Sequence, residues 1–443
     1  MHALRLKSFL TALSAFRLGD GGEENLTGHT IDHLVATIAF IAAMFLFLGL
    51  FTQTLQGAIL YQQNRHVALK ASDLLDNILL SPGYPYHWGE TNTTLSCFGL
   101  QQPGTTGYTI SSFALMRLTS LSGEPVEYPI GSGKWYNNVS LGPGGYLFLP
   151  LSDAINYETA AMLLGVNGTY GFQLSITPLV NVSISEVEPR APYLLTLKVE
   201  VSGPGFPLGG ANLGYYLYRV QKSGKYPNLE LFSGTAQTDS AGIAYLNFSF
   251  NGAEETYTII VHAGLGGLKG FGYYIHKTYA RSTGVIPFVV DYEEGKVYLA
   301  HDWDVQGEGG PPVPNYFYTA KFYALTEEFE FQEWSIANST GQINYGGGGG
   351  KFFYGETTLP VAHPGFLLVT YKDVAGGYGM SIMPWGIGSP LAASILFGGV
   401  PAGNVWVASD LRHVTVGQLS YQAKILCWSL KGYQTRTPSG WRW

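Results

Sequence analysis

Apolar and polar positions divide the chain into two regimes. From Leu34 to Asn64 no side chain is charged, and in its first part, Leu34 to Phe51, Thr37 is the only polar side chain. A helix over Leu34–Phe51 rises about 27 Å, close to the ~30 Å hydrocarbon core of a bilayer. A helix buried in a soluble core is shorter as a rule and more polar on one face. The expected element is one transmembrane helix. The pattern then changes without a break. Thr52 to Leu80 contains no Pro and only Gly57, and Leu55, Ile59, Val67, Leu74, Leu75, Ile78 and Leu79 fall mostly three or four apart, with Arg65, Lys70, Asp73 and Asp76 in the gaps. This spacing predicts that the same helix leaves the membrane, becomes an amphipathic stalk, and stops at Ser81-Pro82-Gly83.

Beyond Ser81 the period shortens to two. Short runs rich in Val, Ile, Thr, Tyr and Phe are punctuated by Gly, Pro, Asn and Ser, the signature of β structure. The clearest block is 193–263, where LLTLKVEVSG, NLGYYLYRV, LELFSGTAQT, AGIAYLNFSF and ETYTIIVHA are five strand-like runs. Thr238 to Gly242 reads as a turn and Asn251-Gly252 as a hairpin. Regularly spaced alternating strands over this block suggest an immunoglobulin-like sandwich. The flanking region before it holds YLFLPLS, TYGFQLSI, VNVSISEV and a helix-like stretch from Asn156 to Leu164. The region after it holds the hairpin VIPFVVDYEEGKVYLAHD and the runs FLLVTYKDV, NVWVASD and LSYQAKILCWSL. Gly309 to Pro312 and Gly346 to Gly350 read as loops too short to decouple domains. The apolar run between Pro390 and Pro401 is too short for a second span.

The expected fold class is therefore mainly β: an N-terminal transmembrane helix continuing as an amphipathic stalk, then a multi-domain β-sandwich ectodomain. The divisions are 1–33, a cytoplasmic segment; 34–80, membrane and stalk helix; 81–192, a membrane-proximal β domain; 193–263, the sandwich; and 264–443, a β region that completes the membrane-proximal one.

Composition narrows the function classes. Charged residues are only 12% of the chain, while aromatics reach 14%, so the low charge does not signal disorder. The net charge of −7 excludes the basic footprint of a nucleic-acid binder. Arg5, Lys7 and Arg17 precede the span and Arg65 and Lys70 follow it, a small excess in favour of a cytoplasmic N-terminus. Seven N-x-S/T triplets occur, about three times the number the composition supplies by chance. Six follow the span, at Asn92, Asn138, Asn167, Asn181, Asn247 and Asn338, and as glycosylation acceptors they place the ectodomain outside. Asn25 would then lie in the cytoplasm, unused. The segment Met1–Gly19 carries an apolar stripe of Leu6, Phe9, Leu10, Leu13 and Phe16 and reads as an interfacial helix. The other reading is a signal peptide with Ser8 to Phe16 as its apolar region.

Little in the chain points to chemistry. Asp302, Asp304 and Glu308 bring three carboxylates close together beside glycines, as a calcium loop does, but without the EF-hand spacing. An acidic solvated loop is the plainer reading. Asp291, Glu293, Glu294 and Gly295 read as a hairpin tip. His262, His276, His301, His363 and His413 have no ligand-spaced partner, so zinc is unsupported, and no nucleophile elbow, P-loop or H-E-x-x-H motif is present. Gly264 to Lys269 lacks the Gly-Lys-Ser/Thr ending of a phosphate loop. The many Tyr and Trp suit a sheet core more than a sugar-stacking surface. No cofactor is expected. Cys97 and Cys427 are the only cysteines. In an oxidising exterior they could bridge the two ends of the ectodomain, and two buried free thiols are the alternative.

Leu79, Leu80, Pro82, Gly83, Pro85, Trp88 and Gly89, directly after the long helix, resemble the start of archaeal membrane-anchored surface proteins, some of them loosely pilin-like. The C-terminal VTVGQLSYQAKILCWSL is similar to their closing strand. The phrase GTAQTDSAGIAYLNF resembles a strand pair of invasin-like and transthyretin-like sandwiches. The first resemblance covers Ile31 to Gly89 at one end and Val414 to Leu430 at the other, and implies a structural protein of an archaeal cell envelope. Archaeal pilins carry a basic-Gly processing site just before the apolar segment. Here Arg17-Leu18-Gly19 is separated from Leu34 by a stretch that holds Asp20, Glu23, Glu24 and Asp32. An unprocessed anchor is the expectation. The partners are the lipid bilayer and other envelope proteins or further copies of the chain. A filament subunit, or a surface carbohydrate- or solute-binding protein or hydrolase, are the alternatives.

Overall fold

The computed structural model describes residues 25–430 apart from 92, 119–121, 142–143, 189–192, 223, 277–283, 307–314, 327, 345–353, 362, 375, 388–393 and 404. The interfacial-helix segment, the Arg17–Gly19 site and the glycine-rich stretches at 309–312 and 346–350 lie outside the described residues. The chain forms two units, Met1–Arg65 and His66–Trp443.

One helix runs from Asn25 to Leu80, ending where Pro and Gly were expected to stop it. Within the first unit its apolar residues face outward on every side: Phe40, Phe45, Leu46 and Phe47 are each more than 60% exposed. The apolar window is entirely unburied, with a mean hydropathy of 2.6, and the helix is long and apolar enough to cross a membrane. Its few hydroxyls are met locally. Thr37 donates to the His33 carbonyl at 2.7 Å, Thr52 to Leu48 at 2.7 Å and Thr54 to Leu50 at 2.9 Å, so none of these hydroxyl protons is left unpaired on the apolar surface.

From His66 onward the helix belongs to the second unit, and it is no free stalk there. Val67, Ala71, Leu74, Leu75, Ile78 and Leu79 are buried, a stripe at spacings of three and four, while Leu69 remains exposed. The stripe shares a core with Leu174, Ile176, Val414, Ala423, Ile425 and Cys427. Those residues belong to a five-stranded sheet ordered Thr109–Ile110, Val407–Val416, Leu419–Ser429, Tyr170–Pro178, Ile395–Gly398. Tyr421↔Pro178 through Ser429↔Tyr170 zip the C-terminal strand to a strand that precedes the sandwich, so segments from opposite ends of the unit complete one sheet. Arg412 reaches from this sheet to the helix. Its Nε and Nη2 donate to the two Asp76 carboxylate oxygens at 3.0 and 3.2 Å, Nη2 also to Ser72 Oγ at 3.0 Å, and the Tyr108 hydroxyl joins at Asp76 Oδ1, 3.0 Å away. The pair is partly solvated, so it sets the helix's register on the sheet more than it stabilises it.

The expected sandwich is present and wider than 193–263. Its seven main strands are β1 (Asn181–Glu186), β2 (Leu195–Gly203), β3 (Asn212–Gln221), β4 (Asn228–Gln237), β5 (Ile243–Phe248), β6 (Tyr257–Leu265) and β7 (Leu268–His276). One sheet is ordered β4-β3-β6-β7 and the other β5-β2-β1. Leu197, Val199, Leu213, Leu217, Ile259 and Val261, at most 2% exposed, fill the space between them. Asn251-Gly252 is not the turn of a hairpin: the strands it joins, β5 and β6, lie in different sheets. The Thr238–Gly242 turn likewise crosses between sheets, and its residues show why that motif is required. Thr238 Oγ1 accepts from the Ala211 N–H and donates to the Leu208 carbonyl, both at 2.8 Å, while Asp239 Oδ1 accepts from the Ala241 and Ile243 N–H groups at 2.9 Å. Gly242 sits at φ +75°, where a side chain would also meet the Val201 carbonyl.

Three further sheets complete the unit. The largest is built on Tyr316–Leu325, Gly365–Asp373 and Tyr378–Trp385; the others are Val285–Asp291, Lys296–His301, Gly355–Thr358 and Ser122–Glu127, Trp135–Ser140, Tyr146–Pro150. Tyr292, Tyr316, Tyr371 and Trp385 are buried in one core, and Phe288 lies 4.8 Å from Tyr128 and 4.5 Å from Phe148, ring centre to ring centre, in another. Aromatic packing thus takes much of the Tyr content inside. The helix-like stretch after Asn156 is the helix Tyr157–Leu163, capped by the Asn156 side chain, which accepts from the Thr159 N–H at 2.8 Å.

Leu75→Ala should cost the second unit about 2–5 kcal/mol, because it opens a cavity under the sheet, whereas Leu69→Ala should change stability by less than about 0.5 kcal/mol. Chemical denaturation of the full chain in mild detergent reads both.

Candidate functional site

The residues singled out in the sequence do not converge. Asp302 and Asp304 are buried, at 8% and 3% exposure, so they are not a solvated loop. They occupy the first turn of the short helix Asp302–Gln306, where free N–H groups favour carboxylates, and Asp302 Oδ1 lies 2.9 Å from Nδ1 of the buried His301. Glu308 lies outside the described residues. Among the described residues no group of three or more His, Cys, Asp or Glu is placed to hold a metal ion. Asp291 to Gly295 is a hairpin tip, with Asp291 Oδ1 accepting from the Glu294 N–H at 2.9 Å.

The cysteines do not form a bridge. Cys97 is exposed beside Tyr84, whereas Cys427 is fully buried in the sheet under the helix, opposite Ala408 and Phe172. Burial pushes the Cys427 thiol up to about 11. Of the six acceptor asparagines, Asn167, Asn181, Asn247 and Asn338 are exposed, Asn138 is half-buried on its strand, and Asn92 lies outside the described residues. The segment after the helix has a structural job. Trp88 is buried and its Nε1 donates to the Pro82 and Gly99 carbonyls at 3.1 and 3.0 Å. Arg117, stacked 5.3 Å from the Trp88 ring, donates to the Trp88, Thr91 and Asp153 carbonyls; its burial lowers its pKa, and the three carbonyls meet its donors.

Two concavities stand out. The first, about 690 Å³, is lined by Lys134, Trp135, Tyr136, Leu151, Ser152 and Asp153. The Trp135 ring is half-exposed, and burial raises the pKa of Asp153. The second, about 630 Å³, is richer in polar groups and is built by strand alternation on the outer face of β4-β3-β6-β7. Much of that face is covered: Tyr218, Val220, Ile260 and Ile275 are buried in the core that also holds Phe366, Met380 and Ile382, and Tyr218 lies 4.5 Å from Tyr323, ring to ring. Toward the β6–β7 turn the cover ends. There Gly214 and Tyr216 of β3, Ser233 and Thr235 of β4, His262 and Gly264 of β6 and Lys269 of β7 line an open cleft, with Glu328, Phe329 and Glu330 at its rim.

His262 is the centre of this cleft. Its ring lies across Gly214, its partner on the neighbouring strand, where a Cβ would stand 2.1 Å from Nε2. It packs edge-on to Phe329, ring centres 5.0 Å apart. Among the described residues neither imidazole nitrogen has a hydrogen-bond partner. Burial, and then the Lys269 ammonium, push its pKa down to about 4, so the ring is neutral at physiological pH. Lys269 Nζ donates to Gln418 Oε1 at 3.0 Å and lies 5.0 Å from the Phe329 ring centre. In the sequence His262 is one of several scattered histidines and carries no signal of a site. A trace was legible: β6 is apolar on both faces through Ile259, Ile260 and Val261, and His262 and Gly264 then interrupt its outer face.

No protein family and no curated protein matches the chain. Among solved structures, red sea bream transglutaminase aligns over 51% of this chain and 33% of its own, at 11% identity and a TM-score of 0.17. The titin I-band fragment I67–I69 aligns over 56% of this chain and 88% of its own, at 12% identity and a TM-score of 0.13. The chain thus spans about a third of the transglutaminase, and likenesses at these scores carry no argument about function.

Alkylation should label one thiol per chain under native conditions and two after denaturation, with unchanged gel mobility on reduction; mass spectrometry should assign the native label to Cys97. The depressed pKa of His262 means that the folded state resists its protonation. Its contribution to stability is full above about pH 6.5 and declines as the pH falls from there through about 4. His262→Gln should flatten that part of the stability–pH curve, measured by thermal melts from neutral pH down to about 4.

Proposed function

We propose that the chain is a single-pass membrane-anchored protein of a cell envelope, archaeal by its resemblance, whose β-rich part stands on the extracytoplasmic side and serves structure or interaction rather than catalysis. One observation carries this reading. The helix Asn25–Leu80 exposes an uncharged apolar surface on all sides over Leu34–Phe51, which only lipid solvates well, and the same helix is buried from Val67 inside a β-rich unit. The orientation follows from the basic residues before the span and from the acceptor asparagines after it. Glycans there would extend into the same compartment as the sandwich.

Carbonate washing should leave the full chain in the membrane fraction, and replacing Ile41 and Leu46 together by Arg should release it, since each charge at mid-span costs about 2.5–3.5 kcal/mol on insertion scales. Protease added to intact cells should remove the β-rich part; complete protection of that part would overturn the orientation.

A further inference from the structure

We infer that the cleft around His262 is a binding site for an uncharged polyhydroxylated ligand, a mono- or disaccharide unit of a glycan. The inference deepens the interaction reading and rests on it only for the compartment in which the glycan is met.

The first argument is the unmet hydrogen-bonding capacity of His262. Both His262 nitrogens lack a protein partner among the described residues and open into the cavity, so they are free to meet whatever fills it. A neutral ring offers one donor and one acceptor, and a hydroxyl matches both. Ser233 and Thr235, from β4 across the cleft, add two more groups of that dual kind. The phenol of Tyr216 hydrogen-bonds the Phe331 backbone, so its half-exposed ring is held beside them as an apolar surface for a sugar's C–H face.

The second argument is exclusion by charge. Lys269 is the one cation among the described residues that line the cleft, and it already hydrogen-bonds Gln418, while Glu328 and Glu330 place two carboxylates at the rim. An anion such as phosphate or sulfate meets net repulsion, and His262 cannot supply a second positive charge at neutral pH. A metal ion lacks a ligand set among the described residues. A purely apolar ligand would leave His262, Ser233 and Thr235 buried and unpaired. The volume, about 630 Å³, lies within the range of small-molecule sites and accommodates one or two sugar rings.

The test uses the full chain, extracted in a detergent without a sugar head group and reconstituted in lipid nanodiscs. Saturation-transfer NMR is recorded with glucose, galactose, mannose, N-acetylglucosamine and disaccharides of each, with inorganic phosphate and sulfate as competitors. At least one saccharide should receive saturation, phosphate and sulfate should not displace it, and H262Q and T235W should each weaken it roughly tenfold or more. Thr235 is exposed on its strand, so T235W fills the cleft without entering a core and keeps the test valid should H262Q fail to fold. Silence from every saccharide, displacement by the anions, or binding that T235W leaves unchanged would each overturn the assignment. A chain that binds sugar but washes off the membrane defeats the anchor reading and not this one; an anchored chain that binds none does the reverse.

Discussion

The burial of one helical stripe against one sheet is the contact on which the second unit depends. Val67, Ala71, Leu74, Leu75, Ile78 and Leu79 remove their side chains from water only because Tyr170–Pro178 and Leu419–Ser429 pair beneath them. The sheet, in turn, has its alternating residues Tyr421, Ala423, Ile425 and Cys427 buried at that face. Neither element has a reason to form alone: the few turns that carry the stripe would be marginal as an isolated helix in water, and the sheet's strands come from opposite ends of the unit. Arg412, bonded to both Asp76 oxygens and to Ser72, selects one register among the rotations that the apolar stripe by itself would allow.

Much of the chain between those paired strands, apart from Ile395–Gly398 and Val407–Val416 of the same sheet, can be read as insertion into the closed loop they make. The sandwich β1–β7 leaves directly after Pro178 and has its own core of aliphatic residues, separate from the aromatic cores of the later sheets. Its β4-β3-β6-β7 sheet is apolar on both faces over part of its length, because the later sheets cover it there. The candidate site is a by-product of that partial cover. Where Phe329 and its neighbours end, the outer face turns to Gly214, Ser233, Thr235, His262 and Lys269, small or polar residues that suit an open cleft. Contact between modules and access for a ligand are thus two parts of the same sheet face.

Electrostatics follow the same logic of burial. His262 is neutral because a partly desolvated imidazole beside an ammonium cannot hold a proton easily, and Cys427 stays a thiol because the core under the helix would not solvate a thiolate. Arg117 keeps its charge in the interior by donating to three backbone carbonyls rather than to a carboxylate, which ties the loop around Trp88 to the one around Asp153. These groups organise structure through burial and backbone hydrogen bonds.

What the sequence by itself determined is what local chemistry encodes. The absence of charge over Leu34–Asn64 gives a helix long and apolar enough to cross a membrane, Pro82 and Gly83 end that helix, strand-like runs mark β2 to β6, and Thr238, Asp239 and Gly242 specify one turn through hydrogen bonds within a few residues. Tertiary structure alone decided which strands meet. It drew the end of the helix into a core instead of leaving a stalk, placed β5 and β6 in different sheets despite Asn251-Gly252, and separated Cys97 at the surface from Cys427 in the interior. It also gathered His262, Thr235 and Glu330 around one cleft. Each of those outcomes depends on pairs of residues far apart in the chain, whose free energy comes from shared burial. A local pattern can show that a residue must be covered; it cannot show by what.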